Sequence, residues 1–264
     1  MRYSLLALLL ACGLAQAEVQ TRSLDYQSED GTRLVGYYAY DDATDAARPG
    51  VLVVHEWWGL NDYAKERARQ LAALGYSALA IDMYGAGKTA DHPKDALAFM
   101  QEATRDADAA RARFVAGMDL LRQQPQTDAT RIAALGYCFG GRVVLDMARQ
   151  GVPLAAVASL HGALGTTTPA VPGSVKARVL VEHGALDSMV PPADVAAFTA
   201  EMVTAGADLQ FVSLPGAKHS FSNPDADQHQ GHGLDIAYSR EADERSWADV
   251  QRFFAESFAH PQAD

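Results

Sequence analysis

Cysteine is nearly absent from this chain, with only Cys12 and Cys138 among 264 residues, which excludes a disulfide-built scaffold. Positive charge is also scarce: 22 Lys and Arg face 33 Asp and Glu, for a formal charge of -11. Neutralising phosphates needs clustered basic side chains, and no basic patch occurs, so a nucleic-acid partner is excluded. Long apolar runs are missing as well. None approaches the roughly 20 residues that a membrane-spanning helix needs, so stable membrane insertion is not expected. Internal repeats, linkers and low-complexity segments are absent, and one domain is the expectation.

The amino terminus, "MRYSLLALLLACGLAQAEVQ", combines an early Arg2, a short apolar stretch from Leu5 to Leu14, and Ala15-Gln16-Ala17 as a small-residue cleavage site. Residues 1–17 are therefore expected to be a signal peptide and 18–264 a single exported domain, periplasmic or secreted. A lipoprotein site at Leu9–Cys12 fits less well, because Cys12 lies early and Leu10 suits its position poorly. Cleavage leaves Cys138 as the lone thiol in an oxidising compartment, which points to a cysteine that is buried or used.

What the chain does contain is an ordinary core composition, 48% hydrophobic and 21% charged. Thr21–Tyr26 and Arg33–Tyr40 are expected to form a hairpin or edge pair around the turn Glu29-Asp30-Gly31. From Val51 onward, short apolar strands ("VLVVHE", "SALAIDMY", "RIAALGYC", "AAVASLHG", "ARVLVEHG", "DLQFVSLP") alternate with helical spacing. The helices are expected at Asn61–Tyr76, one long Ala-rich helix at about Asp95–Gln124 ended by Pro125, then Phe139–Arg149, Pro192–Ala205 and about Ala242–Phe258. Such alternation predicts an α/β fold with a mostly parallel sheet covered on both faces. Ligands bind beyond the carboxyl ends of strands in these sheets, where Glu56, Tyr84, Cys138, His161, His183 and Asp187 fall.

Gly136-Tyr137-Cys138-Phe139-Gly140 has the form Gly-x-nucleophile-x-Gly between a strand and a helix. Small flanking residues let strand and helix approach closely, and the turn holds the central side chain above the sheet. The helix start favours a thiolate and offers N–H groups to an oxyanion. On its own the motif equally fits a buried cysteine acting as a small hydrophobe. Asp187 in "HGALDSMVP" and His219 in "LPGAKHSF" follow in the order nucleophile, acid, histidine used by hydrolases with such a turn.

With "HEWWGLN", "AIDMYG", "GYCFGG", "HGALDSMVP" and "GAKHSF", the chain resembles the dienelactone hydrolase family of the α/β-hydrolase superfamily from about Leu34 to Phe258. The resemblance implies the α/β-hydrolase fold and a carboxylic ester or lactone hydrolase with Cys138 as nucleophile, His219 as general base and then acid, and Asp187 fixing His219. It also implies that Glu56 contacts the resting thiol and takes part in activating it. A carboxylate there raises a thiol pKa, and a thiol kept neutral resists oxidation. The N–H groups of Trp57 and Phe139 are the expected oxyanion donors. The family's two carboxylate-gripping arginines fall at Ala86 and Asn223 here, which puts the anionic dienelactone in doubt as substrate; Lys88 and Arg142 are the nearby cations.

Trp58, Tyr84 and Asn223 are expected around the substrate pocket, although aromatics at strand ends also serve as plain core. His55, His161 and His183 fit either pocket or core. His219, His229 and His232 with Asp225 and Asp227 are read as a polar loop, since "SNPDADQHQGHG" offers no helix to fix ligands, so no metal is expected. The chemistry needs no cofactor and takes a small-molecule substrate. A thioesterase or general carboxylesterase would use the same triad, and a small-molecule-binding protein sensing oxidants through Cys138 is the non-catalytic alternative.

Overall fold

A computed structural model describes residues 18–260; the expected signal peptide lies outside the described residues. An eight-stranded sheet runs in the order β1-β2-β4-β3-β5-β6-β7-β8. β1 (Val19–Gln27) and β2 (Arg33–Asp41) form the antiparallel pair at one edge, and β2 joins β4 (Ser77–Ile81) antiparallel. Every later pairing is parallel, through β3 (Arg48–Val54), β5 (Thr127–Tyr137), β6 (Ala156–Leu160), β7 (Arg178–Gly184) and β8 (Leu209–Leu214).

Strand alternation sorts the apolar residues into two cores. Leu52 and Val54 face one side, packed with Phe114 and Met118 of α3 (Ala107–Arg122), Val144 of α4 (Phe139–Arg149) and Phe198 of α5 (Pro192–Ala205). Val51 and Val53 face the other, with Ala68 and Leu71 of α1 (Asp62–Ala73) and Val250 and Phe254 of α6 (Arg240–Ala259). The central strands are buried on both faces, which explains why they are continuous apolar runs.

Two local expectations are corrected. The single helix over Asp95–Gln124 is two, α2 (Pro93–Thr104) and α3, because the Asp106 side chain accepts the N–H groups of Asp108 and Ala109 and starts a new helix. The polar stretch after Asn223 contains a 3-10 helix, Ala226–His232. Among the described residues, no group of three or more His, Cys, Asp or Glu is arranged to hold a metal ion, and no helix is long and apolar enough to cross a membrane.

Candidate active site

The turn from β5 into α4 is the centre of the site. Cys138 sits there with φ 51°, a left-handed backbone that a non-glycine residue adopts at a cost. Its neighbours leave no room for larger residues: a Cβ on Gly136 would strike the Gly140 carbonyl, and one on Gly140 would strike the Val54 carbonyl. The Gly140 N–H donates to the His55 carbonyl at 3.1 Å, drawing α4 against the end of β3. Cys138 is a free, partly exposed thiol at the helix start.

Asp187 and His219 approach from the loops after β7 and β8. The turn Asp187 N–H to Gly184 carbonyl, 2.9 Å, and the Met189 N–H on Asp187 Oδ1, 2.9 Å, orient the carboxylate. Its Oδ2 accepts from His219 Nδ1 at 2.8 Å, both side chains being buried. That bond leaves Nε2 as the ring's free nitrogen, and Nε2 is buried without a hydrogen-bond partner among the described residues. Burial opposes a charged ring, but the negative charge of a Cys138 thiolate and the Asp187 carboxylate outweigh it and push His219 up to about 10. Sulfur, imidazole and carboxylate therefore act on one another electrostatically.

Glu56 follows β3 and is 1% exposed. Its carboxylate accepts from Ser220 Oγ at 3.1 Å and Asn223 Nδ2 at 2.6 Å, and no hydrogen bond joins it to Cys138. Burial pushes its pKa up, against the pull of Asn223, His219 and Ser220. Asn223 is thus a partner of Glu56 and does not line the cleft. Neither the Trp57 N–H nor the Phe139 N–H donates to a protein acceptor among the described residues, and both residues line the cleft with Cys138.

That cleft has a volume of about 390 Å³ and brings Cys138, His219 and Ser220 together with apolar walls from Trp57, Met100, Phe139, Met189, Val190 and Ile236. Met100, Met189 and Ile236 carried no sequence signal, since methionine and isoleucine on helices and loops suit a core equally well. Arg142 also lines it, bonded through Nε to Asp146 at 3.4 Å. Lys88 instead pairs with Glu102 at 3.8 Å. Tyr84 stands behind the cleft, donating its hydroxyl to the Trp57 carbonyl at 3.0 Å and packing on His55 and Phe139. Trp58 is buried and stacks on His229, with ring centroids 4.0 Å apart, in a separate hollow. Of the strand-end histidines, His55 is core, its Nε2 accepting the Met83 N–H at 3.2 Å. His183 lines a hollow on the far side of Asp187.

The family model for the dienelactone hydrolase family matches residues 35–258. A dienelactone hydrolase-like promiscuous phosphotriesterase from metagenomic libraries is 37% identical in sequence, with TM-score 0.84, over 91% of this chain and 99% of that one. A Salmonella typhimurium protein whose name marks it as a candidate carboxymethylenebutenolidase is 28% identical over 213 residues, 76% of this chain and 77% of the relative. Dienelactone hydrolase from Anabaena variabilis shares the fold at TM-score 0.62 with 19% identity, covering 93% of this chain and 99% of that one.

Proposed function

The chain belongs to the dienelactone hydrolase family and is a hydrolase of the α/β-hydrolase fold; from that premise we propose that it cleaves small esters or lactones through the triad Cys138, His219 and Asp187. The observation that carries this reading is the convergence, in one apolar cleft, of a partly exposed thiol, an imidazole anchored at Nδ1 by a buried carboxylate, and two unbonded N–H groups.

In the proposed reaction, His219 Nε2 holds the proton of Cys138, and the sulfur adds to the substrate carbonyl. The carbonyl oxygen takes up the displaced electron pair and rests on the N–H groups of Trp57 and Phe139. Collapse breaks the bond to the alcohol oxygen, which receives the proton from His219 and leaves. The thioester then reacts with water: Nε2 takes one water proton, the hydroxide oxygen bonds to the carbonyl carbon, and the acid leaves as the sulfur recovers its electrons. Asp187 keeps Nδ1 protonated and stabilises the ring when it is charged.

Glu56, through Ser220 and Asn223, fixes the loop that carries His219. Export through the amino-terminal leader belongs to the same reading, as does a single domain over 18–264. Steady-state kinetics on an activated aryl ester, a dienelactone and a phosphotriester test it: ester or lactone turnover that falls about 10⁴-fold in Asp187→Asn, with the fold kept, supports the triad. Turnover unaffected by Cys138→Ala contradicts it.

A further inference from the structure

His161, which follows β6, touches both of the reacting partners and takes no part in the reaction itself. Its Nδ1 accepts the Cys138 N–H at 3.1 Å, a proton that the same N–H shares with the Leu160 carbonyl at 3.0 Å. Its ring packs edge-on against the His219 ring, with centroids 5.3 Å apart. On the other side, Nε2 meets Ser222 Oγ at 2.7 Å, and Ser222 Oγ meets the Tyr63 hydroxyl at 2.8 Å. Ser222 is further held through its carbonyl by buried Arg67, whose Nη2 donates at 2.8 Å and also pairs with Asp243.

Acceptance at Nδ1 assigns the ring its tautomer. An imidazole that accepts from a backbone N–H at Nδ1 carries its proton on Nε2, so it donates to Ser222 Oγ. The ring must stay neutral to do both. Burial holds His161 well below the ordinary imidazole value, and the charge of His219 acts the same way. The residue is 0% exposed and sits at φ 41°, so surrounding contacts hold it in a strained backbone.

We propose that His161 is a positioning residue that registers the Cys138 turn with the His219 loop, gripping the nucleophile's N–H through Nδ1 and the loop through Nε2 and Ser222. The two segments come from opposite ends of the fold's second half and share no strand pairing. Ser222 lies three residues beyond His219, so the bond to His161 sets how far the histidine stands from the sulfur. The inference rests on the triad reading for its kinetic consequence.

The test replaces each end of the grip separately. Asparagine places an amide oxygen at the depth of Nδ1 and cannot reach Ser222; glutamine reaches the depth of Nε2 and leaves the Cys138 N–H without its second acceptor. In His161→Gln, kcat for an activated ester is expected to fall about 10- to 100-fold with KM little changed, the scale of loss that a misplacement near 1 Å produces. His161→Asn, which releases the Ser222 end of the grip, is expected to lose a comparable factor, and in the Asn background Ser222→Ala is expected to cost nothing more. Alkylation of Cys138 by iodoacetamide, measured without substrate, is expected to slow in both variants. Unchanged kcat in either His161 variant, or losses that merely track the variants' melting temperatures, overturns the proposal. Retained turnover in Cys138→Ala would instead remove the triad reading, and the alkylation rates would still decide whether His161 governs the thiol.

Discussion

The charge state of His219 depends on two negative neighbours, and this makes the site's pH behaviour testable. A pKa raised from the ordinary 6.5 to about 10 means that the folded protein holds the ring proton more tightly than the unfolded chain. The associated stability is fully present below about pH 6.5 and is lost as pH rises through about 10. Removing the sulfur in Cys138→Ala takes away one of the charges, so the His219 titration followed by NMR is expected to fall by at least about one unit. An unchanged midpoint would show that Cys138 does not act on the ring. Arg142 supports a second expectation. Its Nε contact to Asp146 is long, and Asp146 is bonded more closely, at 2.9 Å, by Arg149. Arg142 therefore remains available to a substrate carboxylate, and Arg142→Met is expected to lower kcat/KM for a carboxylate-bearing ester by about 10-fold or more relative to a neutral one. Equal effects on both esters would contradict this. The sequence named Arg142 and Lys88 together as cations near the site. Only the fold could separate them, because Lys88 is drawn to Glu102 by a pairing between loop and helix that no local pattern encodes.

The start of α4 is the element on which the geometry turns. Its first residues lie against the end of β3, with Gly140 beside the Val54 carbonyl and Gly141 beside Ser159 and Gly162. Gly140→Ala has nowhere to place its methyl group without moving backbone, and overpacking of this kind typically costs about 1–3 kcal/mol. Denaturant unfolding should show that loss, together with reduced turnover, while unaltered stability would mean that the helix shifts at no cost. The Gly-x-Cys-x-Gly pattern made this turn legible, because few residues other than glycine tolerate such proximity. The periodicity of α2 and α3 was less informative: an alanine-rich stretch has helical spacing throughout, and the Asp106 cap that divides it is one polar side chain among several. The supporting shell was hidden for a similar reason. Ser220, Ser222 and Asn223 are ordinary loop residues by type, and their roles arise from Glu56 and His161, which are distant in sequence.

At the scale of the whole molecule, the alternation of strands and helices was sufficient to give a mostly parallel sheet, since buried parallel strands must be apolar throughout. Which strands neighbour one another, with β4 outside β3 and β5 beside β3, came only from the pairing. The order places Cys138, His161 and Glu56 at the carboxyl ends of three adjacent central strands, β5, β6 and β3, so that a compact cleft forms over the middle of the sheet. The segment holding His92 meets the 3-10 helix through the His92 and His232 rings, 5.0 Å apart. The proposed leader gives a direct expectation for the intact chain: expressed in a host that processes signal peptides, the exported product should begin at Glu18, as its mass and amino-terminal sequence would show. A product retaining residues 1–17 would contradict export by this leader.

The covalent intermediate on Cys138 is the central claim, and intact-protein mass measurement during turnover tests it most directly. Mixing protein with an activated ester and quenching in acid is expected to give a species heavier by the acyl group, mapped to Cys138 and absent from Cys138→Ala. Turnover of the same ester with no adduct at Cys138, or an adduct that persists in Cys138→Ala, would contradict the account.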